Sequence, residues 1–449
     1  MPRHNPIGSR RPGGDRPSGC RAVTSAPHVP STAYHGAMRR ILPLVASAVV
    51  GLGVVTAVPA TAATDQPTFH RWTSTGDFAQ GTSKGLSAKS GRMVVGGKTS
   101  VTRYKDPRVS GGKKSYDRGT WQSPWQSTGS AATSLVPSWS IKTPGGTWAR
   151  IDVRVRSGAT VGSWDTVARW AGSTSRVKRS SYSAQSDDLA RVSTDTVLAN
   201  AGKSFDRYQV RVILHRPKGS RSTPTLYAVN AVAAPFATRS IPTSATTMTA
   251  TTDLPVPQSS QMIHRGEFPQ WGNGGEAWCS PTSTAMVMRY YGKGPKPSAY
   301  SWSRYTDSFV DHAARYTYDH QYKGTGNWSF NAAYAAGYSL DTFVTRLDSL
   351  REAESFIRAG IPLVASVAFG RGQLTGSPIS ATPGHLIVIR GFTATGDVIV
   401  NDPAAPKNST VRRVYSRAQF EKAWTNGSGG VVYVIRPTST PLPAASARW

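Results

Sequence analysis

The sequence predicts a multidomain chain, with an all-β sandwich or jelly roll over residues 66–240 followed by an α+β region over residues 256–437. Three observations carry this. Segments of 66–240 are short, alternate apolar and polar residues, and are bounded by Gly, Ser, Asn and Pro. A stretch rich in Thr, Ser, Ala and Pro, FATRSIPTSATTMTATTDLPVP (236–257), then interrupts all periodicity and reads as a linker, with its centre at 241–255. Beyond it two helical patterns precede four apolar runs, the order expected when helices pack against an antiparallel sheet.

In the first region TWARIDVRVRS (147–157), ARVSTDTVLA (190–199) and YQVRVILHR (208–216) are the clearest strands. In the last, Tyr208, Val210, Val212 and Leu214 line one face, and Gln209, Arg211, Ile213 and His215 line the other. Trp72, Trp121, Trp125, Trp139, Trp148, Trp164 and Trp170 all lie here; exposed aromatics stack on sugars, but Trp in a sandwich is more often core. In the second region Cys279 opens a helix to about Tyr291, and the amphipathic LDSLREAESFIRAG (347–360) ends at a Gly. The strands IPLVASVAF, GHLIVIRGF, DVIVNDP and VVYVIRP follow, with a short helix, RAQFEKAW (417–424), between the last two. Residues 438–449 read as a tail.

The N-terminus carries an address rather than a fold. Arg39 and Arg40 precede an apolar run from Ile41 to Val58 and an Ala60-Thr61-Ala62 site, the pattern of a secretory signal peptide over residues 38–63. Met38 is then the expected start, residues 1–37 an extension from a start-site error, and the mature protein is expected to be secreted without a stable membrane anchor. Formal net charge is +29; residues 1–63 contribute seven Arg and one Asp, which leaves about +23. Such a protein adsorbs to anionic polymers, so a cell-wall polymer or polysaccharide is an expected partner. The charges are scattered and no nucleic-acid-binding motif is present, which argues against specific nucleic-acid recognition.

Loss of the leader removes Cys20 and leaves Cys279 with no second cysteine to form a disulfide. Such a thiol in an oxidising compartment is either buried core or used. In CSPTSTAM, Pro281 sits in the first helical turn, where its missing N–H costs nothing, so the sulfur stands at the positive end of the helix dipole and its thiolate is stabilised. A thiolate nucleophile needs a base. Of His70, His215, His264, His312, His320 and His385, only His385 begins a clean apolar strand; His312 and His320 look solvent-facing, and His264, in the loop before Cys279, is a distant second choice. The base needs an orienter. A hairpin across Thr393 to Gly396 sets Phe392 opposite Asp397 and Ile387 opposite Asp402, which makes His385 and Asp402 diagonal neighbours on one sheet face. A plain Asp402-Pro403 turn is the alternative. Gln258, Gln261 and Gln270 are candidates to bind an oxyanion beside the Cys279 N–H. No HExxH, CxxC or calcium-loop pattern is present, and the chemistry calls for no metal or cofactor.

The ordered set VPQSSQMIHRGEFPQWGNGGEAWCSPTSTAMVM, GHLIVIRGF and VNDP resembles the C39-like cysteine peptidase domain, a papain-like fold, over 256–437. The resemblance implies Cys279 as nucleophile, His385 as base, Asp402 as orienter and Gln261 as oxyanion donor, acting on a peptide or protein. Ser280 stands where many members carry Gly, and the insert 266–276 leaves Gln261 against Gln270 open. The first region is similar to the β-sandwich of some secreted members. Two readings compete: a cell-wall peptidoglycan amidase or endopeptidase, although those enzymes usually carry Asp before the cysteine where this chain has Trp278, and a non-catalytic wall- or carbohydrate-binding protein with Cys279 in its core.

Overall fold

The computed structural model describes residues 66–449 except 184, 187, 445 and 447. The expected leader and start site lie outside the described residues. The first region is a single 16-stranded antiparallel sheet rather than two separate sheets. Its hub is the strand Phe205–Pro217, which pairs with Trp148–Ser157 on one side and with Lys114–Gln122 and Gln126–Ala132 on the other. A second group centres on Thr225–Ala234, flanked by Ser134–Lys142, Thr68–Trp72 and Arg92–Val95. The short strand Ser180–Ser183 pairs with both Asp165–Trp170 and Ala190–Thr194, so it carries the sheet from one group to the other and nearly closes it.

The alternation in 208–215 sorts as expected on one face: Tyr208, Val210, Val212 and Leu214 are buried in the core. The opposite face is covered too, which the polar residues do not announce. His215 stacks on Trp148 with ring centroids 3.6 Å apart, and Arg150 and Arg211 both reach Asp152 Oδ2. Burial, reinforced by Arg150 and Arg118, lowers the His215 pKa and keeps its imidazole neutral. Five of the seven Trp are core; Trp125 and Trp164 are half-buried, each beneath the Arg154 guanidinium.

In the second region the strands β1 (Asp341–Arg346), β2 (Leu363–Phe369), β3 (Thr382–Phe392), β4 (Val398–Asn401), β5 (Arg412–Tyr415) and β6 (Val431–Arg436) form one antiparallel sheet in the order β1-β6-β2-β3-β4-β5. The central strands β2, β3, β4 and β6 are mostly apolar because both faces are covered, whereas the edge strand β5 is largely exposed. On β3, Leu386 and Val388 join the cluster beneath α1 (Cys279–Tyr290), α2 (Ser308–Thr317) and α3 (Trp328–Ala336). Ile387 and Ile389 join the cluster beneath α4 (Leu350–Arg358) and α5 (Arg417–Ser428). No helix among the described residues is long and apolar enough to cross a membrane.

The expected linker is held by side chains of the second region. Glu354 and Glu421 accept hydrogen bonds from Ser244, Thr246 and Thr247, Met248 is buried, and Thr252–Asp253 pairs with β3. Backbone donors and hydroxyls that composition assigns to solvent are instead satisfied by two carboxylates of α4 and α5. The two regions share one core: Phe330 of α3 packs on Trp139 and Trp170, Ser329 Oγ donates to Pro137 O at 2.6 Å, and Asp195 Oδ2 caps α3 at the Trp328 N–H.

Candidate active site

Cys279 is the first residue of α1, as its Ser-Pro sequel predicts, and is 1% exposed. Trp278 supplies no side-chain cap, so the positive end of the helix is not neutralised by its own N-cap residue. Three hydroxyls along the next turn fix the helix. Ser280 Oγ lies 2.9 Å from the Tyr433 hydroxyl of β6, Ser283 Oγ donates to Leu386 O of β3 at 3.0 Å, and Thr284 Oγ1 donates to Asn331 Oδ1 of α3 at 3.3 Å. Ser283 lies one helical turn beyond Cys279, and Leu386 follows His385. The helix start and the start of the apolar strand are therefore locked side by side.

The hairpin expectation holds in its centre and fails at its tip. Val388 pairs with Asn401 and Ile389 with Val400, the register that leads to Ile387 opposite Asp402. Near the turn a bulge shifts the pairing by one, so Phe392 faces Val398 rather than Asp397. The cause is a turn longer than four residues: Thr393 N donates to Asp397 O at 2.9 Å. The bulge absorbs the extra residue before it reaches the chemistry.

His385 Nε2 lies 2.8 Å from Asp402 Oδ1. Asp402 is fully buried and takes two further donors: the Ala404 N–H on Oδ1 at 3.0 Å and the Tyr415 hydroxyl on Oδ2 at 2.7 Å. Burial pushes the carboxyl up, but the imidazole, the Tyr415 hydroxyl and the Ala404 N–H outweigh it, and the Asp402 pKa falls below the ordinary value. Burial, with the Asp402 charge behind it, raises the Tyr415 pKa and keeps the phenol protonated as a donor. Tyr415, at the end of β5, was not legible as part of the site; nothing in RRVY distinguishes it.

The three glutamines separate by location. Gln258 and Gln270 are exposed, whereas Gln261 is 2% exposed. Its backbone N–H donates to Pro403 O at 2.8 Å, beside Asp402, and its Nε2 donates to Glu276 O at 2.8 Å, on the approach to Cys279. A carbonyl facing the amide requires NH2 there, and that NH2 holds a second proton.

The remaining histidines depart from expectation. His312 is 3% exposed, with Nδ1 2.9 Å from the Tyr334 hydroxyl and its ring stacked on Tyr316. Burial and Arg315 lower its pKa to about 4, so it sits neutral inside the helical layer instead of facing solvent. His320 is half-buried, not exposed, with its pKa lowered to about 4 by burial and Arg179. Helix periodicity places His312 on the face of α2 that the unrecognised α3 covers. His264 is fully buried, with Nδ1 2.8 Å from Glu267 Oε2 and 3.1 Å from Asp311 Oδ1.

A cysteine at a helix start, an imidazole on the strand beside it and a buried carboxylate on that imidazole are the residue types of a thiol-dependent hydrolase. Residues 68–234 match the family model described as the Peptidase C39 N-terminal domain, and residues 253–431 match the Peptidase_C39 like family. The two matches together cover more than two thirds of the chain, which belongs to the C39-like peptidase family. No curated protein matches the chain.

Proposed function

We propose that the protein is a secreted cysteine peptidase that hydrolyses peptide bonds through Cys279, His385 and Asp402. The observation that carries this reading is the 2.8 Å contact between His385 Nε2 and Asp402 Oδ1, on a strand bolted beside the start of the Cys279 helix. With Nε2 committed to the carboxylate, Nδ1 is the nitrogen that exchanges a proton with sulfur. The Cys279 thiolate attacks the amide carbonyl, and the oxyanion is held by the Cys279 N–H and the second Gln261 Nε2 proton. His385 protonates the leaving amine, then takes a proton from the water that cleaves the thioester. Asp402 remains ionised, fixes the tautomer and balances the imidazolium. The low exposure of Cys279 limits bulk oxidation of the thiol outside the cell.

Purified wild-type chain and Cys279→Ala are compared on casein and on peptidoglycan. Casein cleavage that disappears in Cys279→Ala supports the proposal. Cleavage that survives the substitution overturns it, and release of peptidoglycan fragments without casein cleavage assigns the wall amidase instead. Mass measurement of the exported protein tests the leader: processing near Ala62 or Ala63 is expected.

A further inference from the structure

His264, Glu267 and Asp311 converge outside the Cys279 triad. One donor atom from each lies within 4.8 Å of the others, and the Asp311 and His264 side chains are fully buried. The arrangement is poorly served by hydrogen bonding alone. An imidazole Nδ1 carries at most one in-plane proton, yet two carboxylates approach it, at 2.8 and 3.1 Å. Glu267 Oε2 takes the bond; Asp311 Oδ1, buried and aimed at the same point, has no hydrogen-bond donor. Its partner oxygen Oδ2 accepts from the Ser303 hydroxyl, which holds the carboxylate in that aim.

We propose that His264 Nδ1, Glu267 Oε2 and Asp311 Oδ1 form a binding site for a divalent cation of the zinc type. Imidazole nitrogen and carboxylate oxygen are the donors Zn²⁺ takes, at about 2.0–2.2 Å, and tetrahedral bonds of that length set neighbouring ligand atoms about 3.3–3.6 Å apart. From 2.8 and 3.1 Å, the two carboxylate oxygens need draw back from His264 Nδ1 by only about 0.2–0.8 Å. A dication cancels the two carboxylate charges while the imidazole is neutral, and its third partner uses the oxygen that otherwise has no donor. Ser303 supplies the outer hydrogen bond that ligating carboxylates require. Glu267 lines a surface cleft with Ile263, Tyr305 and Asn408, which gives the ion a path.

The site bridges two elements. His264 and Glu267 lie on the segment that starts at Gln261, and Asp311 lies on α2. The His264 ring packs on Trp278, the residue before Cys279, with centroids 5.8 Å apart. A bound ion therefore clamps the Gln261 segment to the helical layer. This consequence rests on the peptidase reading; the binding itself does not.

The test uses the full chain carrying Cys279→Ala, so that zinc on the thiol cannot mimic the site. The protein is stripped with a chelator, dialysed and titrated with zinc chloride by calorimetry, with bound metal counted by mass spectrometry. Asp311→Asn and Glu267→Gln, made in the same background, are titrated in parallel, and circular dichroism checks their folds. The proposal expects a site in Cys279→Ala that raises the melting temperature on filling and that weakens by about a hundredfold or more in both carboxamide variants. It is overturned if folded Asp311→Asn and Glu267→Gln bind zinc as the parent does, or if the parent takes up none. Failure of zinc binding with casein cleavage intact leaves the peptidase reading standing.

Discussion

Asp402→Asn removes one charge and almost nothing else. The carboxylate is fully buried, with His385 and Ala404 on Oδ1 and Tyr415 on Oδ2. An amide of the same shape keeps an oxygen for His385 and Ala404 and turns its NH2 toward Tyr415, whose hydroxyl accepts as well as donates. What is lost is the charge behind the imidazolium that forms as the leaving amine is protonated. A hydrogen bond to a charged group contributes about 1.5–3 kcal/mol and a neutral one about 0.5–1.5 kcal/mol. The difference, about 1–1.5 kcal/mol, is a floor, because a buried imidazolium left without a counter-charge adds to it. A fall in kcat/KM of about 10- to 100-fold follows, with a melting temperature within about 4 °C of wild type. A fluorogenic casein assay and a thermal melt measure both. A folded Asp402→Asn enzyme within twofold of wild-type kcat/KM refutes the role given to the carboxylate.

Gln261→Ala removes the side-chain oxyanion donor and lowers kcat by about a hundredfold or more with little change in KM, while Gln270→Ala, on an exposed turn, leaves both unchanged in the same assay. Asp195, buried at the junction of the two regions, has its pKa raised from 3.8 to about 7 by burial, against the pull of the Trp328 N–H and Thr196. An acid raised in the folded state stabilises fully below its unfolded pKa and loses that contribution as pH rises through the folded one. The unfolding free energy from denaturant titrations should therefore fall between pH 4 and 7 by an amount bounded at about 4 kcal/mol, and Asp195→Asn should flatten this slope. Glu354→Ala strands Arg417, whose side chain is 8% exposed, and releases Thr246 and Thr247; a loss of about 3–5 kcal/mol in urea unfolding and new protease cuts within 243–250 are expected.

The geometry of the candidate site was legible because its signals are local. Cys279 before Ser-Pro marks a helix start, and the Gly-His and Asn-Asp-Pro strand ends lie one hairpin apart, so register alone brings His385 to Asp402. The Phe392 pairing was wrong by one because turn length is a tertiary choice. What was illegible depends on distant partners. Tyr415 reaches Asp402 only through sheet order, and His312 is buried only once α3, whose start is marked by the Asn327 cap alone, is laid over α2. Over 241–255 composition marked a linker but could not show that Glu354 and Glu421 bind its Ser and Thr residues. In the first region, alternation marked the core face of 208–215 correctly. It could not show that Trp148, Arg150 and Asp152 cover the other face, or that Ser180–Ser183 joins the two groups of strands into one sheet.

The most direct test of the central claim is the rate at which iodoacetamide alkylates Cys279, followed by peptide mass mapping of native wild-type protein and His385→Ala from pH 5 to 10. A thiolate held by a helix start and an imidazole reacts at pH 6, where an ordinary thiol, ionising near pH 8.5, is almost wholly protonated. The account predicts wild-type labelling at pH 6 at least about tenfold faster than in His385→Ala, with the two rates converging above pH 9. Equal rates across the whole range, in folded proteins, contradict it.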